Sequence, residues 1–143
     1  MSFAGEFTFS DLQEGDTLDQ QYQITSDVYE SLVGTFKDAS QIHIDDDFAR
    51  DNGFKSKVMH GAILNCFLSE FIGMRFPGRR ALLLGCDLRY LKPCYLDDFI
   101  LVTAKVSQKL ETRRVVVLDL RFYNETQQYV AANGRAQVGV FLD

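Results

Sequence analysis

One apolar segment constrains this chain more than any other feature of its sequence. The window from 58 to 76 reads VMHGAILNCFLSEFIGMRF, and its apolar side chains recur every three to four residues. This spacing predicts a helix that is buried over most of its surface. Polar residues interrupt the window, so no apolar run approaches the roughly 18 residues needed to cross a bilayer. Pro77 and Gly78 are expected to end the helix.

The sequence after Pro77 predicts strands. Four segments are separated by turn-like residues, and in three of them apolar and polar side chains alternate; they span residues 81–92, 98–109, 113–123 and 128–142. Connections of about two to five residues favour antiparallel hairpins over crossover units. Three glycines inside these segments are expected to mark bulges or sharp bends: Gly85, Gly134 and Gly139.

The sequence before the apolar window is less regular. Residues 17–24 predict an edge strand, and Thr25 or Ser26 is expected to cap a short amphipathic helix. Residues 36–57 are polar and acidic, with a short helix predicted at 46–52. The predicted fold class is therefore α+β, with one buried helix against a curved antiparallel sheet of about five strands. We expect one domain over residues 1–143, with a partner covering the rest of the helix.

Composition narrows the class of protein. With 46% hydrophobic and 24% charged residues, the chain is typical of a globular protein, and its net charge of −5 argues against nucleic acid as a partner. We identify no signal peptide and no membrane segment, and expect a cytoplasmic protein. Three cysteines, Cys66, Cys86 and Cys94, lack CxxC spacing, so we expect buried, reduced thiols rather than a redox or metal site.

The two histidines of the chain, His43 and His60, lie close to the start of the predicted buried helix. One interpretation is acid–base chemistry, in which Asp38 and His43 converge on a small molecule such as water. Gly61 opens the helix, and its unpaired N–H would stabilise negative charge on a ligand oxygen that glycine allows to approach closely.

Two other interpretations of these residues stay open. A divalent metal could be bound by His43 with Asp45, Asp46 and Asp47, although adjacent acids rarely point the same way, and the acidic run also suits the first turn of a short helix. The histidines could also be structural, with His60 bonding the backbone ahead of the helix. Residue spacing alone does not decide among the three.

The central motifs resemble those of the MaoC-like hot-dog proteins, the (R)-specific enoyl-CoA hydratases. The signature is an Asp, an aliphatic-His pair, an acidic short helix with Phe-Ala, and aliphatic-His-Gly before the central helix. This chain carries Asp38, Ile42-His43, Phe48-Ala49 and Met59-His60-Gly61 without a gap in spacing. Similarity extends to 9–16 and 88–98. The chain departs from the family at Ser40-Gln41, where the family has Asn-Pro.

The resemblance implies a hot-dog fold, in which a helix is wrapped by antiparallel strands, and a homodimer. It also implies reversible syn addition of water to a trans-2-enoyl thioester, giving the (R)-3-hydroxyacyl thioester, a hydro-lyase reaction of fatty acid metabolism. By this resemblance Asp38 and His43 hold the water, and the Gly61 N–H binds the thioester oxygen. No metal or organic cofactor is implied, and the partner is an acyl-CoA or acyl-carrier-protein thioester.

The resemblance also suggests residues that contact the substrate. Ser40, His60 and Ser69 are assigned to the substrate pocket, although Ser69 could equally bond its own helix backbone. A basic group, Lys55, Lys57, Arg79 and Arg80, could meet the phosphates of CoA or remain a solvated rim. Other functions stay open: a dehydratase for carrier-bound or unusual acyl chains, a non-catalytic acyl-thioester binding module, and a thioesterase on the same scaffold.

Overall fold

The computed structural model describes residues 4–142 of the 143-residue chain. Its strands are β1 (Thr17–Gln23), β2 (Ala81–Tyr90), β3 (Phe99–Leu110), β4 (Val115–Asn124) and β5 (Tyr129–Val140). Its α-helices are α1 (Ser26–Phe36), α2 (Gln41–Ile44), α3 (Asp46–Asp51) and α4 (Ala62–Glu70). A π-helical turn, Phe71–Arg75, extends α4, and a 3₁₀ turn, Glu111–Arg113, joins β3 to β4. Over this range, no helix has the length and apolar character needed to span a membrane.

The five strands form one antiparallel sheet in the order β1-β3-β4-β5-β2. The predicted α+β class and the predicted number of strands are confirmed, and β1 lies at one edge as expected. Strand β2 occupies the other edge, although it precedes β3 in the chain. The segment between β2 and β3 therefore crosses from one edge of the sheet towards the other, and it passes the start of α4 on the way.

Helix α4 packs on the inner face of this sheet. One apolar cluster joins its buried side chains to inward-facing residues of the strands, including Val102, Leu118, Phe122 and Val138. The buried residues of α4 and its π-helical turn are Ile63, Leu64, Phe67, Leu68, Phe71 and Ile72. A narrow stripe of small or polar residues remains exposed on the opposite face: Ala62, Cys66 and Ser69. The prediction of a mostly buried helix is confirmed.

The helical part of the apolar window is shorter than the window itself. Residues 58–60 lie outside the helix. Two of their N–H groups bond to other segments instead: the Met59 N–H donates to the Cys94 carbonyl oxygen (2.8 Å) and the Val58 N–H to the Ile42 carbonyl oxygen (3.0 Å). The apolar pattern therefore also covers an entry segment that is bonded to other parts of the chain. At the far end, the helix stops before Gly78, whose φ of +98° lies in the left-handed region that favours glycine.

The glycines predicted to distort strands differ in their effect. Gly85 coincides with a shift of register between β2 and β5, as expected of a bulge. At Gly134 the backbone of β2 approaches β5 closely, since a Cβ there would lie 1.8 Å from the Asp87 carbonyl oxygen. Gly139 keeps a regular register and forms no bulge, and the alternative expectation of a sharp bend there stays a prediction.

The cysteine prediction is correct for one residue of three. All three thiols are free and Cys94 is buried, but Cys66 and Cys86 are exposed. Cys66 lies on the outward face of α4, and Cys86 lies on the edge strand β2. An apolar sequence neighbourhood does not determine burial, because neighbouring residues on a helix or strand point in different directions.

Candidate active site

The segment between α1 and α4 holds most of the residues selected from the sequence. Thr25 caps the start of α1, its Oγ1 accepting from the Val28 N–H as predicted. Helix α1 ends at Lys37, which has φ 61° and donates its N–H to the Val33 carbonyl oxygen. The chain then turns at Asp38 and enters the single turn of α2. This short path places Asp38 beside the buried entry segment of α4.

Asp38 presents a carboxylate that is half exposed, with 51% of its side-chain surface accessible. The Ser40 backbone N–H donates to its Oδ1 at 3.4 Å. This hydrogen bond, together with the positive charge that His60 and His43 can carry, lowers the pKa of Asp38 below its ordinary value. Asp38 is therefore ionised near neutral pH and can accept hydrogen bonds.

His43 is held in one orientation by two backbone contacts. Its Nδ1 lies 2.7 Å from the Val58 carbonyl oxygen, and its own carbonyl oxygen accepts from the Tyr29 hydroxyl at 2.6 Å. Because a carbonyl can only accept, Nδ1 carries a proton, and in the neutral ring Nε2 then carries the lone pair. His43 therefore offers Nε2 as a proton acceptor.

His60 is buried and bonds the backbone, as the structural interpretation of this residue expected. Only 3% of its surface is accessible, and its Nε2 lies 2.8 Å from the Asp38 carbonyl oxygen. Its ring stacks on that of His43, with 3.9 Å between centroids and 27° between planes. The ligand atoms of Asp38, His43 and His60 all lie within 4.8 Å of one another. The three residues form one cluster.

The acidic run does not gather around His43, contrary to the metal interpretation. Asp45 caps α3 through the Phe48 N–H (3.0 Å), and Asp46 accepts from the Lys57 N–H (2.9 Å). In the Asp38–His43–His60 cluster, His43 Nδ1 and His60 Nε2 each face a backbone carbonyl oxygen, which leaves fewer ring nitrogens for a cation.

Gly61 precedes α4 as its N-cap residue. Among the backbone hydrogen bonds of residues 4–142, none uses the Gly61 N–H. The Tyr90 ring covers this position so closely that a Cβ on Gly61 would lie 3.1 Å from its Cε1. The Tyr90 hydroxyl in turn donates to Asn65 Oδ1 on α4. Sequence reasoning missed Tyr90 and Asn65, because only the tertiary fold brings the end of β2 to the first turn of α4.

A cleft of about 470 Å³ opens beside Gly61. His43 and His60 contribute to its wall. The rest of the lining is mainly apolar or aromatic and includes Phe54, Val58, Met59, Tyr90, Leu91 and Pro93. A proton acceptor, a free backbone N–H and a largely apolar cleft therefore meet at one place, which is the arrangement of a small-molecule site.

A second, apolar groove of about 340 Å³ lies on the other side of the α4 N-terminus. Asp38 and Ser69 both line it, together with Leu32, Phe36, Ala62, Asn65 and Cys66. Ala62 lines both cavities. Ser40 is exposed and is the N-cap residue of α2, where its backbone N–H donates to Asp38 Oδ1. The catalytic and pocket assignments of these residues stay predictions.

The basic residues selected from the sequence do not form one group. Lys55 and Lys57 precede α4, whereas Arg79 and Arg80 follow it, so a helical segment about 20 Å long lies between the two pairs. Lys92, which the sequence analysis did not single out, lines the cleft. The cations near the cleft are therefore lysines 55, 57 and 92.

The architecture and this cluster define a class of protein: a helix packed on a curved antiparallel sheet, with an Asp–His pair at the helix N-terminus. No family model matches the chain. An (R)-specific enoyl-CoA hydratase of Rhodospirillum rubrum is 28% identical over 109 residues, which cover 76% of this chain and 75% of the relative. A mitochondrial 3-hydroxyacyl-[acyl-carrier-protein] dehydratase of Arabidopsis thaliana is 24% identical over 137 residues, covering 94% and 81% respectively.

Solved structures share the fold closely. The unliganded R-hydratase PhaJ1 of Pseudomonas aeruginosa superposes with a TM-score of 0.89 at 22% identity, covering 99% of this chain and 90% of that one. A MaoC-like dehydratase of Rhodospirillum rubrum superposes with a TM-score of 0.77 at 19% identity, covering 96% and 98%. The chain therefore has the hot-dog fold. Its resemblance to the MaoC-like hot-dog proteins of the (R)-hydratase type, indicated by the sequence motifs, is confirmed by these comparisons.

Proposed function

We propose that this protein is a hydro-lyase that adds water reversibly to trans-2-enoyl thioesters and gives (R)-3-hydroxyacyl thioesters. The observation that carries the proposal is the cluster of Asp38, His43 and His60, whose ligand atoms lie within 4.8 Å of one another at the entry to α4. The relatives named above as hydratase and dehydratase support the same reaction.

In this proposal the catalytic pair holds one water molecule through two acceptors. The carboxylate of Asp38 and the Nε2 of His43 each accept one of its hydrogens, so the oxygen is free to attack C3. One acceptor takes a proton as the C3–O bond forms, and a proton is delivered to C2 on the same face. Water and the enoyl thioester supply every atom of the product.

Gly61 provides the electrostatic part of the mechanism. As the water oxygen attacks, negative charge develops on the thioester oxygen, and an N–H at a helix N-terminus stabilises it. The mainly apolar cleft beside Gly61 strengthens this interaction by excluding water. Ser40 and Ser69 are proposed as pocket residues around the substrate, and His60 as a part of the cleft wall next to the catalytic pair.

The test is loss of enoyl-thioester absorbance with crotonyl-CoA and then octenoyl-CoA. Removing either proton acceptor, in Asp38→Asn or His43→Gln, is expected to lower kcat by at least about 100-fold while the fold is retained. Asp51→Asn, at the exposed end of α3, is the matched carboxylate control and should keep wild-type activity. Full activity in Asp38→Asn or His43→Gln would overturn the site assignment.

A second candidate within the same chemistry is dehydration of carrier-protein-bound acyl chains. We include this candidate because the name of the Arabidopsis relative gives a carrier-protein substrate, and the match to that relative covers 94% of this chain. Matched assays with crotonyl-CoA and the corresponding carrier-bound thioester distinguish the two. Inactivity on both would favour a binding module, and release of free thiol from a saturated acyl-CoA would indicate a thioesterase.

We also propose a cytoplasmic homodimer. Strand β2 is an edge strand that exposes Leu82 (52%) and Leu84 (55%), and apolar edge strands of this kind are usually covered. Pairing of two β2 edges would cover these side chains. The free thiols at Cys66 and Cys86 suit a reducing compartment.

A further inference from the structure

We propose that His60 is a positioning residue. Its Nε2–H and its ring hold the two members of the catalytic pair, Asp38 and His43, in place. This inference rests on the proposed function, which requires Asp38 and His43 to share one water molecule. It assigns His60 a role that needs no contact with the substrate.

The first contact of His60 fixes Asp38. The Nε2–H donates to the backbone carbonyl oxygen of Asp38 at 2.8 Å, and the same nitrogen lies 4.0 Å from Asp38 Oδ2. Residues 38–41 are otherwise exposed, so this buried anchor ties a solvent-facing turn to the entry segment of α4. Without it, the carboxylate would lose its fixed distance to His43.

The second contact fixes the ring of His43. The two imidazoles stack at 3.9 Å, and Tyr29 lies on the His60 ring at 5.9 Å in a tilted arrangement. The Tyr29 hydroxyl donates to the His43 carbonyl oxygen, so the ring and the backbone of His43 each have a fixed contact. The stack prevents rotation of His43 away from its hydrogen bond to Val58.

The remaining ring nitrogen of His60 faces no acceptor in the described part of the chain. Its Nδ1 is buried and has no hydrogen-bond partner within residues 4–142. A proton on Nδ1 would have no acceptor there, and the resulting cation would stack against a ring that itself takes up a proton during turnover. The charged groups near His60 are Asp38, His43 and Lys57, whose Nζ lies 4.6 Å from the Tyr29 ring centroid.

The residue type follows from these two contacts together. Phenylalanine would supply the flat ring but no donor for Asp38. Glutamine would place an N–H near the position of Nε2 but supply no ring. Histidine provides both within the volume available, at the cost of one unsatisfied buried nitrogen.

The kinetic test separates the two contacts. We expect His60→Gln, which keeps the donor, and His60→Phe, which keeps the ring, each to lower kcat about 10-fold, and His60→Asn, which keeps neither, to lower it about 100-fold. KM should change by less than about three-fold, because the residue positions catalytic groups rather than substrate. Equal losses in all three variants, or a rise in KM with kcat unchanged, would overturn the proposal.

A second measurement does not depend on activity. The chain has two histidines, so ¹⁵N-labelled imidazoles give two ring systems that NMR can assign with single variants. We expect His43 as the Nδ1–H tautomer and His60 as the Nε2–H tautomer, with the His43 signals perturbed in His60→Asn. A protein with these tautomers but no hydratase activity would refute the proposed function alone. A His60 ring that averages between tautomers would refute the positioning role.

Discussion

The hydrogen bond from His43 Nδ1 to the Val58 carbonyl oxygen decides which atom of this ring can act as a base. With Nδ1 protonated, Nε2 carries the lone pair, and the carboxylate of Asp38 is the second acceptor. His60 has the opposite arrangement, because its Nε2 is the atom bonded to a carbonyl. Two histidines that are close in the fold therefore have different chemical capacities, set by which backbone carbonyl each one faces.

At Gly61 the contact with Tyr90 leads to a prediction about substrate access. In Gly61→Ala the new Cβ would lie 3.1 Å from Tyr90 Cε1, so the ring must move by a few tenths of an ångström. We expect kcat/KM for crotonyl-CoA to fall by about 10- to 100-fold, because the methyl group obstructs the oxygen that approaches the N–H. Gly73→Ala is the control, since a Cβ there meets nothing within 4 Å. Equal activity of the two variants would contradict the prediction.

The buried thiol of Cys94 predicts a pH dependence of stability. Burial, with the nearby Asp98 carboxylate adding to it, raises the pKa of Cys94 from 9.0 to about 12. The folded state keeps the proton where the unfolded chain loses it. The contribution of Cys94 to the free energy of unfolding is therefore fully present below pH 9. It is lost as pH rises from about 9 to about 12, at up to about 1.4 kcal/mol per pH unit.

Denaturant unfolding of wild type and Cys94→Ala between pH 8 and pH 11 measures this effect. The free energy of unfolding of wild type should fall with pH more steeply than that of the variant, by about one proton. Because Cys94→Ala also removes packing, it lowers the free energy of unfolding at every pH. The test is therefore the difference between the two slopes against pH, not the difference between the two values at one pH. Tyr129, whose pKa is raised to about 12 by burial, with Tyr95 and Cys94 adding to the rise, contributes a slope of its own in both proteins. Parallel curves would contradict the assignment to Cys94.

Among the secondary-structure elements, the close pairing of β2 with β5 depends on the absence of a side chain at Gly134. A Cβ at Gly134 would lie 1.8 Å from the Asp87 carbonyl oxygen, which is backbone and cannot move aside cheaply. We expect Gly134→Ala to lower the free energy of unfolding by more than about 3 kcal/mol. Gly34→Ala, in α1 with open space around the new Cβ, should raise it by about 0.5–1 kcal/mol. Chemical denaturation compares them, and a tolerated Gly134→Ala would show that the strands can separate.

Helix α4 connects the core to the proposed chemistry. Its inner face anchors the apolar cluster, and its N-terminus presents the Gly61 N–H between the cleft and the second groove. The entry segment 58–60 bonds to residues on both sides, which fixes where the helix begins. The element that stabilises the fold thus also positions the catalytic groups, so mutations in its core are expected to affect both.

For the whole molecule, the exposed edge of β2 predicts the oligomeric state. Light scattering coupled to gel filtration should give about twice the 16.3 kDa mass of one chain. Leu84→Lys places a charge on the proposed contact and should shift the protein towards the monomer. Ile44→Lys, an exposed apolar position on α2, is the control and should leave the mass unchanged. A wild-type monomer would refute the dimer.

The sequence by itself predicted the main elements and selected the residues that are proposed to carry the chemistry. The helical period identified α4, the alternation of side chains identified the strands, and the motif around Asp38, His43 and His60 indicated the family. These signals are local, because periodicity and caps depend on residues a few positions apart. Even the cap of α3 by Asp45 could be inferred in this way.

The tertiary structure decided how those residues act. The stacking of His43 on His60, the tautomers set by the Val58 and Asp38 carbonyls, and the Tyr90 ring over Gly61 all join segments that are distant in sequence. The exposure of Cys66 and Cys86 also depended on which face each element turned towards the core. Local sequence specifies an element and its donors and acceptors, but the partner of each atom is fixed only when the elements pack.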